Sequence, residues 1–358
     1  MNFKCIIIRK EIKINETRTP LVPEDCKKLI TMGITIYVEK NNKRCYEDKH
    51  YLMNGCIMID CLNSLNNIIF SYNKEEVLIM GLKHLDITQD LLFSYKHMYF
   101  SHTFKNQTDS SIILNKFKEN NGFIYDMEYF TDTNNKRVCA FGLYAGIAGC
   151  YIGLLAYYKN MIIQKEPYPP INTFNSYTEL LNDITRIKID SNKSSPMIAI
   201  IGNGRCATGC IKLLDELKLN YTIITKNMKD YDLIKYNIII NCILINEMIQ
   251  PFITYDTLPK FTNLNIIVDI SCDYTNKFNP LPLYNECSSF NAPYIKISNV
   301  LIVAIDNLPS LLPVESSREF SKSITKLFNV SNENNIMWNK VMSWFTSSVE
   351  TLSNSYIL

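Results

Sequence analysis

The chain has almost no charge of one sign to spare. Its 37 Lys and Arg residues face 35 Asp and Glu, for a formal net charge of +2. Nucleic-acid binding needs a basic excess or stripe. No basic run, RNA-binding signature or zinc-finger spacing occurs, so no nucleic-acid partner is expected. A secretory leader is not expected either. Its apolar core needs about 7–15 residues, and the first stretch offers only Cys5, Ile6, Ile7 and Ile8 between charges. There are 12 cysteines but no C-x-x-C pair, and the 4 histidines are not clustered at ligand spacing. Those absences predict a reducing, cytoplasmic setting, mostly buried free thiols and no metal site. One long uncharged run is present, FGLYAGIAGCYIGLLAYY over residues 141–158. It approaches the length of a membrane span. Its Gly and Ala would equally let backbones pack closely in a core, so a buried helix is the expectation and a membrane span the alternative.

What is present is a globular α/β pattern. Hydrophobic residues make up 47% and charged residues 20%, and 358 residues suggest two domains. Residues 3–9, 34–38, 77–80 and 98–100 read as short strands. Between the first two lies a helix over residues 23–32, with Pro23, Glu24 and Asp25 at its start and Gly33 past its end. Residues 164–196 are Pro-rich and polar, a surface excursion with one helix over 177–188. A second series follows: strands at 197–201, 221–225, 236–243 and 265–269, with a helix over 206–217. The tail from residue 321 is polar and helix-compatible. The fold class is therefore α/β, two Rossmann-like domains with parallel sheets and an interdomain cleft holding the active site. Expected boundaries are 1–134, rejoined by 321–358, for a substrate-side domain and 135–320 for a dinucleotide-binding domain.

The second series opens on Gly202-Asn203-Gly204-Arg205-Cys206-Ala207, directly between strand and helix. Gly202 permits the tight turn, Gly204 lets backbone approach a pyrophosphate, and Ala207 lets the helix pack close to the strand. The helix N-terminus, with Arg205, offers N–H groups and partial positive charge to phosphates. A ligand-free αβ turn is the plain alternative. An acid is expected at the end of the next strand to hold the adenine ribose, but the chain reads Thr225-Lys226-Asn227 there. Asn227 could still bond a ribose and Lys226 could favour a 2′-phosphate, so NAD is expected with NADP not excluded.

Further stretches carry more: Glu16-Thr17-Arg18 with Leu21-Val22-Pro23, Gly81-Leu82-Lys83, Ser101-His102-Thr103-Phe104-Lys105, Tyr125-Asp126-Met127-Glu128, Arg137-Val138-Cys139-Ala140-Phe141-Gly142, Val268-Asp269-Ile270-Ser271-Cys272-Asp273 and Ile305-Asp306-Asn307-Leu308-Pro309. In this order, over nearly the whole chain, they resemble the NAD-dependent, lysine-forming saccharopine dehydrogenases of the alanine dehydrogenase and transhydrogenase fold group. The resemblance implies oxidative deamination of saccharopine to lysine and 2-oxoglutarate, by hydride transfer and imine hydrolysis. Catalytic roles would fall to Lys83 as general base, His102 for imine hydrolysis and Glu128 as the carboxylate that tunes them. Arg18, Lys105, Arg137 and Asp306 would hold the substrate. Gly202, Gly204, Arg205, Ala207, Asn227 and Asp269 would hold the cofactor. Read singly, Lys83 is as readily a surface lysine, His102 a hydrogen-bonded structural histidine, and each Arg a solvated charge.

Three departures stand at the site. His84 replaces the family's Glu after the catalytic Lys, Asn307 replaces the His after the Asp306 equivalent, and the ribose acid is missing. They motivate two rivals, an NADPH-dependent lysine/2-oxoglutarate reductase and an inactive binding protein on the same scaffold. A Cys206–Cys242 disulfide across the cofactor turn is a further possibility, with two reduced thiols as the favoured state. The partners expected are small molecules (saccharopine, lysine, 2-oxoglutarate), with no nucleic acid, no membrane and a monomeric chain.

Overall fold

The computed structural model describes residues 3–62, 72–88, 90–105, 110–226, 232–245 and 247–355. The chain divides into two units, Met1–Ala140 with Val314–Leu358, and Phe141–Pro313.

In the first unit, β1 (Cys5–Ile8), β2 (Thr35–Glu39), β3 (Ile57–Ile59), β4 (Val77–Met80), β5 (Lys96–Tyr99) and β6 (Phe123–Asp126) form one sheet in the order β3-β2-β1-β4-β5-β6. Every pair is parallel. β1 and β4 are buried at each residue, as strands covered on both faces must be. Helix α1 (Pro23–Thr31) starts on Pro23 with Glu24 and Asp25 in its first turn, which its orphan N–H groups favour. Gly33 then closes it at φ +90, a left-handed conformation that a side chain resists. Helices α2 (Asp48–Met53) and α3 (Ser110–Glu119) complete the central connections.

The polar tail folds as α7 (Pro313–Lys326) and α8 (Asn332–Ser355), numbered after three helices of the second unit. Ser317 and Ser321 of α7 accept hydrogen bonds from the backbone of Thr19 and Val22 at 3.1 and 3.0 Å. Trp338 and Phe345 of α8 cover the edge strand β6 through Tyr125 and Phe123, with ring centroids 4.9 and 4.4 Å apart.

The second unit has β7 (Ile198–Ile201), β8 (Tyr221–Ile224), β9 (Ile238–Asn241), β10 (Ile266–Asp269), β11 (Ile295–Ile297) and β12 (Val300–Val303), ordered β11-β12-β10-β9-β7-β8. Only β11 runs antiparallel. Its inner strands are apolar at both parities because each face meets a core. Ile198, Ile200, Ile238, Ile240, Ile266 and Val268 serve one side, and Ala199, Ile201, Ile239, Ile267 and Ile302 the other.

The uncharged run is helix α4 (Gly142–Tyr158), 17 residues long, buried within this unit. No helix among the described residues is long and apolar enough to cross a membrane. Its glycines bring backbones into contact. A Cβ on Gly146 would strike the carbonyl of Cys206 in helix α6 (Arg205–Glu216), and one on Gly209 of α6 would strike the carbonyl of Leu143. On its other side, Gly149 and Gly153 lie against Val268 of β10. Helix α5 (Tyr177–Asp190) covers the outer face, with the Tyr151 hydroxyl donating to Asp183 at 2.7 Å.

Candidate functional site

The candidate residues lie at carboxyl ends of parallel strands, where open α/β sheets present ligand-binding groups. In the first unit, β4 runs out into Gly81, Leu82 and Lys83, and β5 into Ser101 and His102. The two exits are tied together: Gly81 donates to the Met98 carbonyl at 3.1 Å, and Phe100 to the Leu82 carbonyl at 3.2 Å. β6 ends on Asp126, followed by a short 3-10 turn carrying Glu128.

Asp126 is the anchor of this group, fully buried. Its Oδ2 accepts from the Ser101 hydroxyl at 2.7 Å and from the His102 backbone N–H at 3.0 Å, and its Oδ1 accepts from the Glu128 N–H at 2.9 Å. Burial pushes its carboxyl above the usual carboxylate range, with Ser101 opposing. One buried acid thus fixes the backbone of two candidate catalytic residues. His102 sits at φ 55, a left-handed position uncommon for a side-chain-bearing residue, held where its N–H reaches Asp126. Its Nδ1 lies 3.4 Å from Glu128 Oε2. The other Glu128 oxygen meets Arg137 Nη1 at 3.2 Å. His102, Glu128 and Arg137 therefore form one chain of contacts, and the ring of His102 stacks on Phe100 at 6.4 Å.

Arg18 has a different setting from a solvent-facing clamp. It is buried, and its Nε and Nη2 grip both Glu16 oxygens at 2.8 and 2.6 Å. Burial alone would raise the Glu16 carboxyl. The Arg18 guanidinium, with the charge of Lys83 behind it, outweighs that and holds it below the usual range. Arg137 keeps 44% of its side chain exposed, so it can reach a dissolved carboxylate while holding Glu128. The Lys105 side chain lies outside the described residues.

In the second unit, Gly202 follows β7 at φ +106, and a Cβ there would meet Ile243 Cγ2 at 2.5 Å. Gly204 is the N-cap of α6, and a Cβ built on it meets nothing within 4 Å. The first turn of α6 thus opens with uncapped N–H groups beside space that backbone can share with a phosphate. Arg205 is exposed as the first helical residue, and Ala207 is fully buried. This glycine turn fits the pyrophosphate of a dinucleotide.

Asp269 ends β10 with no exposed surface. Its oxygens accept from Asn241 Nδ2 at 2.9 Å, the Ser271 hydroxyl at 2.6 Å and the Tyr284 hydroxyl at 2.6 Å. It braces neighbouring strand ends and loops rather than facing solvent. Asp306 is exposed on the turn after β12. Asn227 lies outside the described residues, and Lys226 before it is exposed.

All 12 thiols are unlinked, and the Cys242 sulfur lies 3.9 Å from Cys210, one turn of α6 beyond Cys206. Burial puts the Cys210 thiol well above its ordinary range. Among the described residues, no group of His, Cys, Asp and Glu is placed to hold a metal ion.

Sequence reasoning assigned no role to Asp126, Arg9 or Glu11. The last two follow β1, which pairs with β4, so residues just past β1 stand beside Gly81, Leu82 and Lys83. Strand order was the signal that could have found them.

Residues 7–148 match the alanine dehydrogenase/PNT N-terminal domain, and residues 189–352 the C-terminal domain. The saccharopine dehydrogenase [NAD(+), L-lysine-forming] of Yarrowia lipolytica is 32% identical over 336 residues, covering 88% of this chain and 89% of that protein. The chain belongs to the saccharopine dehydrogenase family. The family member of Schizosaccharomyces pombe is 30% identical over 96% of this chain and 98% of its own length. Among solved structures, an L-alanine dehydrogenase matches with a TM-score of 0.68 at 13% identity, over 95% of this chain and 93% of that one. A transhydrogenase from Sinorhizobium meliloti matches at 0.61, also 13% identical, over 91% and 92%. These two structures share the fold.

Proposed function

We propose that this chain is an NAD-dependent saccharopine dehydrogenase, interconverting saccharopine with L-lysine and 2-oxoglutarate. The observation that carries the reading is the His102–Glu128–Arg137 chain, anchored by Asp126 at the same strand ends that present Lys83. Saccharopine dehydrogenase family membership and the NAD(+) dependence named for the relatives favour it over an NADPH reductase. They equally favour it over an inactive scaffold.

NAD would be held at Gly202, Gly204 and the N-terminus of α6, and would supply the hydride acceptor. The protein's residues manage protons and charge. Lys83 takes the proton from the substrate's secondary amine as that nitrogen becomes an imine. His102 then activates the water that attacks the imine carbon, and returns a proton to the departing amine. Glu128 Oε2 lies 3.4 Å from Nδ1, and Nε2 is the nitrogen assigned to exchange protons. Arg137 offers its exposed fork to a substrate carboxylate. Lys105 and Asp306 are the remaining candidate substrate contacts. We take the enzyme to be cytoplasmic and monomeric, acting on small molecules alone.

The test is absorbance at the reduced-nicotinamide band, with lysine, 2-oxoglutarate and either NADH or NADPH. Oxidation that requires both carbon substrates and is faster with NADH is the expected result. No oxidation by folded protein with either cofactor would reject the activity.

A further inference from the structure

Past Met80 the ladder to β5 runs on only through the Gly81 N–H and the Leu82 carbonyl, so the N–H groups of Leu82 and Lys83 and the Lys83 carbonyl need other partners or water. Two side chains supply them. Glu11 accepts from the Leu82 N–H at 2.6 Å through Oε1 and from the Lys83 N–H at 2.9 Å through Oε2. Arg9 donates from Nη2 to the Lys83 carbonyl. The two side chains face each other at 3.5 Å, each only 3% exposed. Arg9 is itself fixed by its backbone, which donates to the Met80 carbonyl at 3.0 Å. Gly81 makes room for this: a Cβ there would collide with the Arg9 guanidinium.

Burying an ion pair is costly in desolvation, and its return in stability is often small. A loop at a strand end ordinarily leaves its N–H groups to water. Here both charges converge on the two peptide groups flanking one residue. We infer that Arg9 and Glu11 are positioning residues, clamping the backbone of Lys83 so that its amine is held for proton transfer. The inference rests on Lys83 being the general base. It goes beyond that reading by naming what sets the base's geometry, in a chain where His84 follows the lysine.

Displacement of a catalytic group by about 1 Å can cost on the order of 100-fold in rate. A Gln at position 11 keeps the shape but has one acceptor oxygen for two N–H groups, and no charge for Arg9. The experiment is a double-mutant cycle of wild type, Glu11→Gln, Lys83→Met and the double variant, read as the single-turnover rate of NADH oxidation with lysine and 2-oxoglutarate. Glu11→Gln is expected to lower the rate by about 10- to 100-fold, leave KM for NADH within about twofold, and add no further loss in the Lys83→Met background. An equal loss in both backgrounds would mean a general structural role and overturn the clamp. So would an unchanged rate in Glu11→Gln beside a slow Lys83→Met. A Lys83→Met enzyme at wild-type rate would instead reject Lys83 as the base, and the clamp with it. Should Glu11→Gln fail to melt cooperatively, Arg9→Lys, which keeps the charge and loses the fork, takes its place in the same cycle with the same outcomes.

Discussion

The strand ends of the two units solve different problems with different atoms. In the first unit the carboxyl ends of β1, β4, β5 and β6 are crowded with charged side chains that hold one another: Arg9 with Glu11, Arg18 with Glu16, and His102 with Glu128 and Arg137. In the second unit the equivalent region is built from backbone. Gly202 and Gly204 expose the first turn of α6, and the acid at the end of β10 is consumed by Asn241, Ser271 and Tyr284. Proton transfer needs titratable groups at defined positions. Phosphate binding needs N–H groups and a lack of side chains. The contrast says that mutations in the first region should cost rate, and those in the second should cost cofactor affinity.

The largest expected effects test the first half of that statement. Lys83→Met and His102→Gln should each lower turnover by about 10²–10⁴-fold, with the dissociation constant for NADH, read by fluorescence, nearly unchanged. A large loss of NADH affinity in either would break the separation. Next, two glycines separate fold from affinity within the second unit. Gly204→Ala meets nothing, so its melting temperature should match wild type while NADH binds on the order of tenfold more weakly. Gly202→Ala must adopt φ +106 against Ile243, and should lose about 1–3 kcal/mol of stability as well as affinity. Equal melting temperatures for the two variants would contradict the geometry.

A smaller effect belongs to the first unit's interior. Burial lowers the His97 imidazole from 6.5 to about 3, against the bond to the Leu92 carbonyl and with help from the Arg9 charge. Below about pH 6.5 the unfolded chain takes up a proton that the folded one refuses, so stability falls as pH drops through that window. The slope is at most about 1.4 kcal/mol per pH unit. Urea unfolding at pH 6.5 and 5 should show this loss in wild type and less of it in His97→Gln. The smallest effect expected is at Lys226. This exposed charge should alter NADPH use only about two- to fivefold when changed to Ala, with NADH turnover unaffected.

Much of the fold was legible in the sequence. β1, β4 and β7 announced themselves as short apolar runs, and α1 by Pro23 and Gly33. Of the strands that were missed, β3, β6 and β11 are three or four residues long and partly exposed, so no period could develop, whereas β12 is a buried apolar run of the same kind as β4. Of the site, Lys83, His102 and Glu128 were nominated by their resemblance motifs. Asp126 stood in the same stretch, but its hold on His102 and Glu128 depends on the adjacency of β5 and β6. Arg9 and Glu11 lie more than seventy residues before the loop they bind. Their role exists only once β1 lies beside β4. Arg18 was expected at substrate, but sequence spacing could not show that Glu16, two residues away, would occupy its fork.

The glycine-to-carbonyl contact between α4 and α6 has a consequence for how cofactor affinity can drift. Gly146 touches the peptide of Cys206, within the uncapped first turn of α6. A methyl group there would act as a wedge, tilting or sliding the first turn of α6 without touching the ligand. The stretch that looks most like featureless membrane filler is thus a setscrew for that glycine turn, and its glycines should tolerate replacement less well than the charged surface around them.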